Sequence, residues 1–152
     1  MGKEQVMSYL KPLIVASAFF IAGINHAAAA PQEITVYKSP WCGCCTAWSE
    51  HMRENGFKVT EIKREDMDTI KRDLGVPEKL ESCHTAKVGG YVVEGHVPAA
   101  DVKRLLEEKP KAKGLSVPGM PMGSPGMEQG NEKDRYTVII YGDEGMGAFA
   151  RH

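Results

Sequence analysis

The sequence predicts an α/β domain, and three features of its middle part support that class. Residues 34–37 alternate apolar and polar side chains and are rich in β-branched residues, which is typical of a strand. Apolar positions at helical spacing follow as far as Gly56, where a helix can end. Residues 57–62 alternate again, so a strand, a helix and a strand form a βαβ unit with parallel strands.

The elements that follow extend this unit. A short helix begins after Asp66, and residues 85–88 and 91–94 form a hairpin around a two-glycine turn. Pro98 lies in the first turn of a third helix. The resulting order, β-α-β-α-β-β-α, is that of the thioredoxin and glutaredoxin fold.

Beyond the third helix the composition changes. Residues 115–130, the methionine loop, are rich in Pro, Gly and Met and have no periodicity, which predicts an irregular loop. Residues 136–141 alternate, and we expect them to add one strand at a sheet edge. We expect residues 142–152 to form a loose tail, so the predicted domain comprises residues 30–141.

The first 29 residues have the features of an export signal. Lys3 and Lys11 precede an apolar run of roughly twelve residues, which is shorter than the ~20 residues that span a bilayer. Alanines follow this run, and we expect cleavage after Ala29. The sequence therefore predicts a periplasmic protein without stable membrane insertion after cleavage.

The charge balance argues against one class of partner. The chain has 19 Lys and Arg residues and 20 Asp and Glu residues. A protein that binds nucleic acid usually has an excess of basic residues on one face. We therefore expect no nucleic-acid partner.

Three of the four cysteines, Cys42, Cys44 and Cys45, lie at the start of the first predicted helix. Backbone N–H groups and the helix dipole favour a thiolate there. Cys83 precedes the hairpin, at the place where thioredoxin-like proteins have a cis-proline that lies against the CxxC motif. Four sulfurs would then converge on one point. Thiol–disulfide exchange needs two, whereas Cu(I) uses three, four or a shared cluster.

The methionine loop carries a second set of soft donors. Met120, Met122 and Met127 have almost no apolar neighbours in the sequence, so core packing does not explain them. Thioether sulfur remains a ligand for Cu(I) in an oxidising compartment, and we expect this loop to fold over the cysteines as a flap. His84 is a further candidate ligand because it is adjacent to Cys83.

The stretches PWCGCC, SCHT with its hairpin, and VPGMPMGSPGME together resemble the CopG-type family. These are small exported metal-binding proteins of thioredoxin-like fold that are associated with bacterial copper resistance. The resemblance covers about residues 34–128. It implies copper bound through Cys42, Cys44, Cys45 and Cys83, and leaves open a multinuclear cluster and a change of copper oxidation state. It also implies copper ions and other copper-handling proteins as partners.

Two other interpretations remain open. One is a thiol–disulfide oxidoreductase with Cys42 as nucleophile and Cys45 as resolving cysteine, which the helix-end position favours and the extra Cys44 opposes. The other is a structural role with two disulfides, one that links the helix start to Cys83 and one between Cys42 and Cys45. We expect His96 to be a surface or capping residue, and His51, on the helix face with Trp48 and Met52, to have a role in core or surface packing and not in metal binding.

Overall fold

The computed structural model describes Gly2 and residues 30–152. The predicted signal peptide, residues 1–29, and its cleavage after Ala29 lie outside the described residues, apart from Gly2. Within the described part, no helix is both long and apolar enough to cross a bilayer.

Residues 30–152 form one seven-stranded sheet with three α-helices, which confirms the α/β class. The predicted order of elements is found as far as the third helix. In chain order, the elements are β1 (Glu33–Lys38), α1 (Gly43–Glu54), β2 (Lys58–Lys63), α2 (Met67–Asp73), a 3₁₀ turn (Glu78–Leu80), β3 (His84–Val88), β4 (Tyr91–Glu94), α3 (Ala99–Glu108), β5 (Gly114–Ser116), β6 (Thr137–Gly142) and β7 (Gly145–Arg151).

The sheet topology brings two distant parts of the chain together. The strand order is β2-β1-β3-β4-β5-β6-β7, and β1 is parallel to β2 but antiparallel to β3. In the β1–β3 register, Lys38 lies opposite His84. The end of β1, which leads into α1, therefore lies beside the start of β3, which follows Cys83.

The core fixes the position of α1 against the sheet. Trp48 and Met52 on α1 are fully buried, as are Val102 and Leu105 on α3. The indole N–H of Trp48 donates to the Val97 carbonyl at 2.9 Å, so this large side chain has a defined orientation as well as a buried surface. A helix held at Trp48 presents its first turn at a defined place above the end of β1.

The methionine loop begins with a short strand, which the sequence did not predict. β5 pairs in parallel with β4, with Val93 opposite Leu115, and Leu115 is fully buried. A strand of three residues is too short to show a hydrophobic period. The free edge of β4, which no local pattern reveals, makes these residues a strand.

Residues 142–152 do not form a loose tail. β7 pairs with β6 over its whole length, with Thr137 opposite Arg151, so two strands rather than one follow the methionine loop. Arg104 on α3 donates to the Phe149 carbonyl at 2.7 Å and stacks 3.9 Å from the Phe149 ring centroid. The glycines and alanines of β7 give a weak strand signal, and contacts with β6 and α3 decide its conformation.

Candidate metal centre

The structure brings the four cysteines, Cys42, Cys44, Cys45 and Cys83, into one cluster, the cysteine cluster. The Sγ atom of Cys44 lies 3.5 Å from that of Cys42 and 3.9 Å from that of Cys83. Cys45 is buried, and its Sγ atom lies 3.8 Å from the Cys83 carbonyl oxygen. All four sulfur atoms lie within 4.8 Å of one another. Such a spacing suits a metal ion or a small metal cluster.

Two of the four sulfurs are joined in this state. Cys42 and Cys45 form a disulfide with a Cα–Cα distance of 5.4 Å, whereas Cys44 and Cys83 are free thiols. Cys42 is also the N-cap of α1, and its Sγ atom accepts the Cys45 N–H at 3.2 Å. The disulfide is the Cys42–Cys45 pairing that the sequence left open.

The Cys83 thiol has a raised pKa. Burial, with a smaller contribution from the neighbouring Cys44, raises the pKa of the Cys83 thiol to about 12. The thiol is therefore protonated at neutral pH in the absence of metal. A metal ion that binds this sulfur must displace a proton.

His96 belongs to the cluster, so the expectation of a surface or capping residue is wrong. Its side chain is fully buried, and its Nε2 atom lies 3.0 Å from the Cys83 Sγ atom. Its Nδ1 atom lies 2.8 Å from the Pro125 carbonyl oxygen. Because a carbonyl oxygen only accepts, Nδ1 carries the ring proton and Nε2 presents its lone pair to Cys83. Metal-binding histidines are commonly held in this way.

The hairpin register explains the position of His96. β3 and β4 pair Thr85 with Glu94, so extending the ladder by two residues places Cys83 opposite His96. The predicted two-glycine turn already implies this register. The signal was therefore present in the sequence, but it lies in the strand pairing and not in the residues next to His96.

His84 lies on the other side of Cys83. It is fully buried, its Nδ1 atom is 3.4 Å from the Cys83 Sγ atom, and its ring centroid is 4.4 Å from Trp48 and 5.1 Å from His96. Burial lowers the pKa of His84 well below its usual value, so the ring is neutral at pH 7. Its Nε2 atom has no hydrogen-bond partner among the described residues. A neutral imidazole is the form that binds metals.

The methionine loop is attached to the site through its backbone. Ser82, the residue before Cys83, donates its hydroxyl to the Gly119 carbonyl. The Pro125 carbonyl accepts from His96. Gly126 lies against the first turn of α1, where a Cβ atom would be 2.7 Å from the Cys44 carbonyl oxygen. The loop therefore covers the region between the start of α1 and the start of β3.

The three predicted methionine ligands have different exposures. Met120 is 52% exposed, whereas Met122 and Met127 are partly buried. The Met122 N–H donates to Asp134 at 2.9 Å and the Met127 N–H donates to the Ser124 carbonyl at 2.8 Å, so their backbone is held in place. Contact between these thioethers and a metal stays a prediction.

Comparison with known proteins identifies the family. Residues 80–127 match a family model described as a protein of unknown function, DUF411, and the curated proteins contain no match. Two solved structures, named copper resistance protein copG forms 2 and 1, are each 46% identical to the chain. Each comparison covers 80% of this chain and 98% of the other, with TM-scores of 0.77 and 0.76. The chain belongs to the CopG family.

The CopG family resemblance seen in the sequence is thus confirmed. The DUF411 match covers Cys83, His84, His96 and the methionine loop, but it does not cover the start of α1. The matches to the CopG structures cover 80% of the chain, which is enough to include most of residues 30–152.

A buried ion pair lies behind Cys83 in this CopG family member, and the sequence did not predict it. The Glu94 carboxylate, which is fully buried, accepts from Lys71 and from the Ser82 N–H through Oε1, and from the Thr85 hydroxyl at 2.6 Å through Oε2. Burial raises the pKa of Glu94, and the Lys71 ammonium opposes this shift. The network holds the backbone on both sides of Cys83.

His51 packs at the far end of α1 and gives a pH-dependence that can be measured. Its Nε2 atom accepts the Ala99 N–H at 3.1 Å, so the proton is on Nδ1. Burial lowers the pKa of His51, although Glu128 and Glu54 oppose the shift. The unfolded chain, with a pKa of about 6.5, therefore binds more protons in mild acid than the folded chain does. The stability that neutral His51 contributes is present above about pH 6.5 and is lost as the pH falls through the folded-state pKa.

We therefore expect the melting temperature of metal-free protein to fall more steeply in the wild type than in His51→Gln when the pH decreases from about 7.5 to about 5. All other titrating groups are common to the two proteins, so the difference between the two curves isolates His51. Thermal unfolding followed by circular dichroism measures it. Parallel curves would contradict the assignment.

Proposed function

We propose that this protein is an exported copper-binding protein of copper tolerance, in which the reduced cysteine cluster holds Cu(I). The observation that carries the proposal is the approach of Cys44 to both Cys42 and Cys83, the latter 39 residues away in the chain. Thiolates are ligands that Cu(I) prefers. The name of the CopG relatives favours copper over zinc, and a zinc site with four thiolates would give no reason for the methionines.

The proposed ligands fall into three groups. The thiolates of Cys42, Cys44, Cys45 and Cys83 form the centre once the disulfide is reduced. The imidazoles of His84 and His96 lie beside Cys83. Met120, Met122 and Met127 are on the loop that covers the site. Four thiolates can bridge several ions, so the proposal includes a multinuclear cluster, and family membership extends it to conversion between copper oxidation states.

The wider setting belongs to the same proposal. Residues 1–29 have the features of an export signal, which would deliver the protein to the periplasm. The proposed partners are copper ions and other copper-handling proteins. Loading should release protons, because the raised pKa of Cys83 keeps its thiol protonated in the metal-free protein. Affinity for Cu(I) should accordingly decrease as the pH is lowered.

The test is a count of bound Cu(I) in reduced protein under anaerobic conditions, with a chromophoric chelator as competitor. We expect each of the four Cys→Ser variants to bind fewer ions or to bind them about 10-fold or more weakly, since even outer partners of metal ligands have effects of that size. Met146→Leu is the control, because Met146 lies on β7 outside the methionine loop. The proposal is wrong if all four Ser variants keep full stoichiometry and affinity.

A thiol–disulfide oxidoreductase is the second candidate, and the Cys42–Cys45 disulfide at the start of α1 is the observation that favours it. The proximity of Cys44 and Cys83 opposes it, since neither sulfur is needed for exchange. Reduction of insulin by metal-free protein, driven by a small dithiol, discriminates the two functions. Turnover that persists in Cys44→Ser and Cys83→Ser would favour the oxidoreductase, and its absence would favour copper binding.

A further inference from the structure

We infer that the disulfide form of this protein keeps part of the metal centre as a smaller site for one Cu(I) ion, formed by Cys44, Cys83 and His96, with His84 adjacent. The inference rests on the proposed function for the choice of copper. It concerns a different state of the protein, in which Cys42 and Cys45 are oxidised and unavailable. The structure is in that state, so its geometry describes this smaller site directly.

The distance between the two free thiols matches a shared ion. The Cys44 and Cys83 Sγ atoms are 3.9 Å apart. A tetrahedral ion with metal–sulfur bonds of about 2.3 Å separates two sulfur ligands by about 3.8 Å. An ion could therefore bind between these sulfurs with almost no movement of the start of α1 relative to the start of β3.

His96 supplies a nitrogen donor on the same side of Cys83. Its Nε2 lone pair faces the Cys83 Sγ atom at 3.0 Å, which fits an S–H donating to nitrogen in the metal-free protein. Two ligands of one tetrahedral ion, a sulfur and an imidazole nitrogen, lie about 3.6 Å apart, so the imidazole must withdraw by only about 0.6 Å when an ion replaces the proton. The Pro125 carbonyl, which holds Nδ1–H, maintains the tautomer that leaves Nε2 available.

His84 adds a second nitrogen donor close to Cys83. Its Nδ1 atom is 3.4 Å from the Cys83 Sγ atom, close to the spacing of two ligands on one ion. Its ring is fully buried, and its Nε2 atom is without a partner among the described residues. Nδ1 is therefore the nitrogen that faces an ion at Cys83, and it binds as the neutral imidazole.

Oxidation therefore changes the capacity of the cluster without abolishing it. The disulfide removes two of the four thiols, and neither of them is among the three main donors of the smaller site. Four thiols and two imidazoles in the reduced protein become two thiols and two imidazoles in the disulfide form. The disulfide form therefore offers a site for one copper ion, and the reduced form offers two further thiols for additional ions.

The experiment compares the two oxidation states of the wild type with two matched double variants. Thiol titration first verifies two free thiols in the disulfide form, and Cu(I) is then added anaerobically with the competing chelator. We expect one bound Cu(I) in the wild-type disulfide form and one in reduced Cys42→Ser/Cys45→Ser. We expect no bound Cu(I) in the disulfide form of Cys44→Ser/Cys83→Ser. This variant is matched to Cys42→Ser/Cys45→Ser because each replaces two cysteines.

Two histidine variants, one of them a control, test the nitrogen donor in the disulfide form. His96→Ala should weaken Cu(I) binding by about 10-fold or more and reduce the nitrogen scattering in the copper X-ray absorption spectrum. His152→Ala is the control, because His152 stacks on Tyr136 and pairs with Asp101 next to β6 and β7, and β4 and β5 separate these strands from β3. Equal binding and equal spectra for the two variants would overturn the role of His96.

The outcomes separate this inference from the proposed function. Full loading of the reduced protein together with no binding by the disulfide form would overturn only the inference. Binding by neither form would overturn both. One ion bound by the disulfide form of Cys44→Ser/Cys83→Ser would place the ion elsewhere and would also overturn the inference.

Discussion

Replacing Lys71 with alanine is expected to lower the free energy of unfolding by about 3–5 kcal/mol, because it leaves the Glu94 carboxylate buried without its counter-ion. The Lys71 and Glu94 side chains are only 5% and 0% exposed, so water cannot take the place of the missing ammonium. Denaturant unfolding followed by circular dichroism measures the effect. Lys58→Ala is the control, since it removes an exposed ion pair with Glu33 and should change little.

The double variant Lys71→Met/Glu94→Leu separates stability from positioning. Apolar residues of similar volume commonly replace a buried ion pair without loss of stability, so the double variant should be more stable than Lys71→Ala, although the Ser82 N–H and the Thr85 hydroxyl lose their acceptor. The double variant should bind copper more weakly than the wild type, because Glu94 also accepts the Ser82 N–H at 2.7 Å and the Thr85 hydroxyl on either side of Cys83. A Lys71→Ala protein as stable as Lys58→Ala, or a double variant with wild-type copper affinity, would contradict this account.

Gly126→Ala is expected to displace the methionine loop from α1 and to lower the free energy of unfolding by about 2–5 kcal/mol, the sum of left-handed backbone strain and overpacking. Gly126 has a φ of +86°, and its Cβ would meet the Cys44 carbonyl oxygen at 2.7 Å and the Trp48 nitrogen at 2.8 Å. Both contacts are to helix backbone, which cannot yield locally. Release of Cu(I) to a chelator should also become faster, because the adjacent Pro125 carbonyl orients His96.

Gly119→Ala is the matched control for this prediction. Gly119 lies in the same loop with a φ of +70°, but a Cβ there meets no heavy atom of the described residues within 4 Å. The two variants therefore share the backbone strain and differ in the clash with α1. Similar unfolding free energies and similar release rates for both would show that contact between the loop and α1 does not matter.

The sequence predicted the elements whose signals are local. The alternation in β1 and β2, the helical spacing of α1 and the two-glycine hairpin turn each depend on residues within a few positions of one another. β5 and β7 were missed because three residues show no period and a run of glycine and alanine has little strand preference. Their conformation depends on the free edges of β4 and β6, which exist only after the sheet has assembled.

The sequence alone determined that four soft donors would meet, since three are neighbours at a helix start and the fourth precedes a strand that pairs beside it. Only the tertiary structure decided that Cys42 bonds to Cys45, that His96 presents Nε2 to Cys83, and that Glu94 is buried behind them. The physical reason is distance. A disulfide, a tautomer and a buried charge depend on separations of a few ångströms and on the exclusion of water, and packing of distant segments sets both.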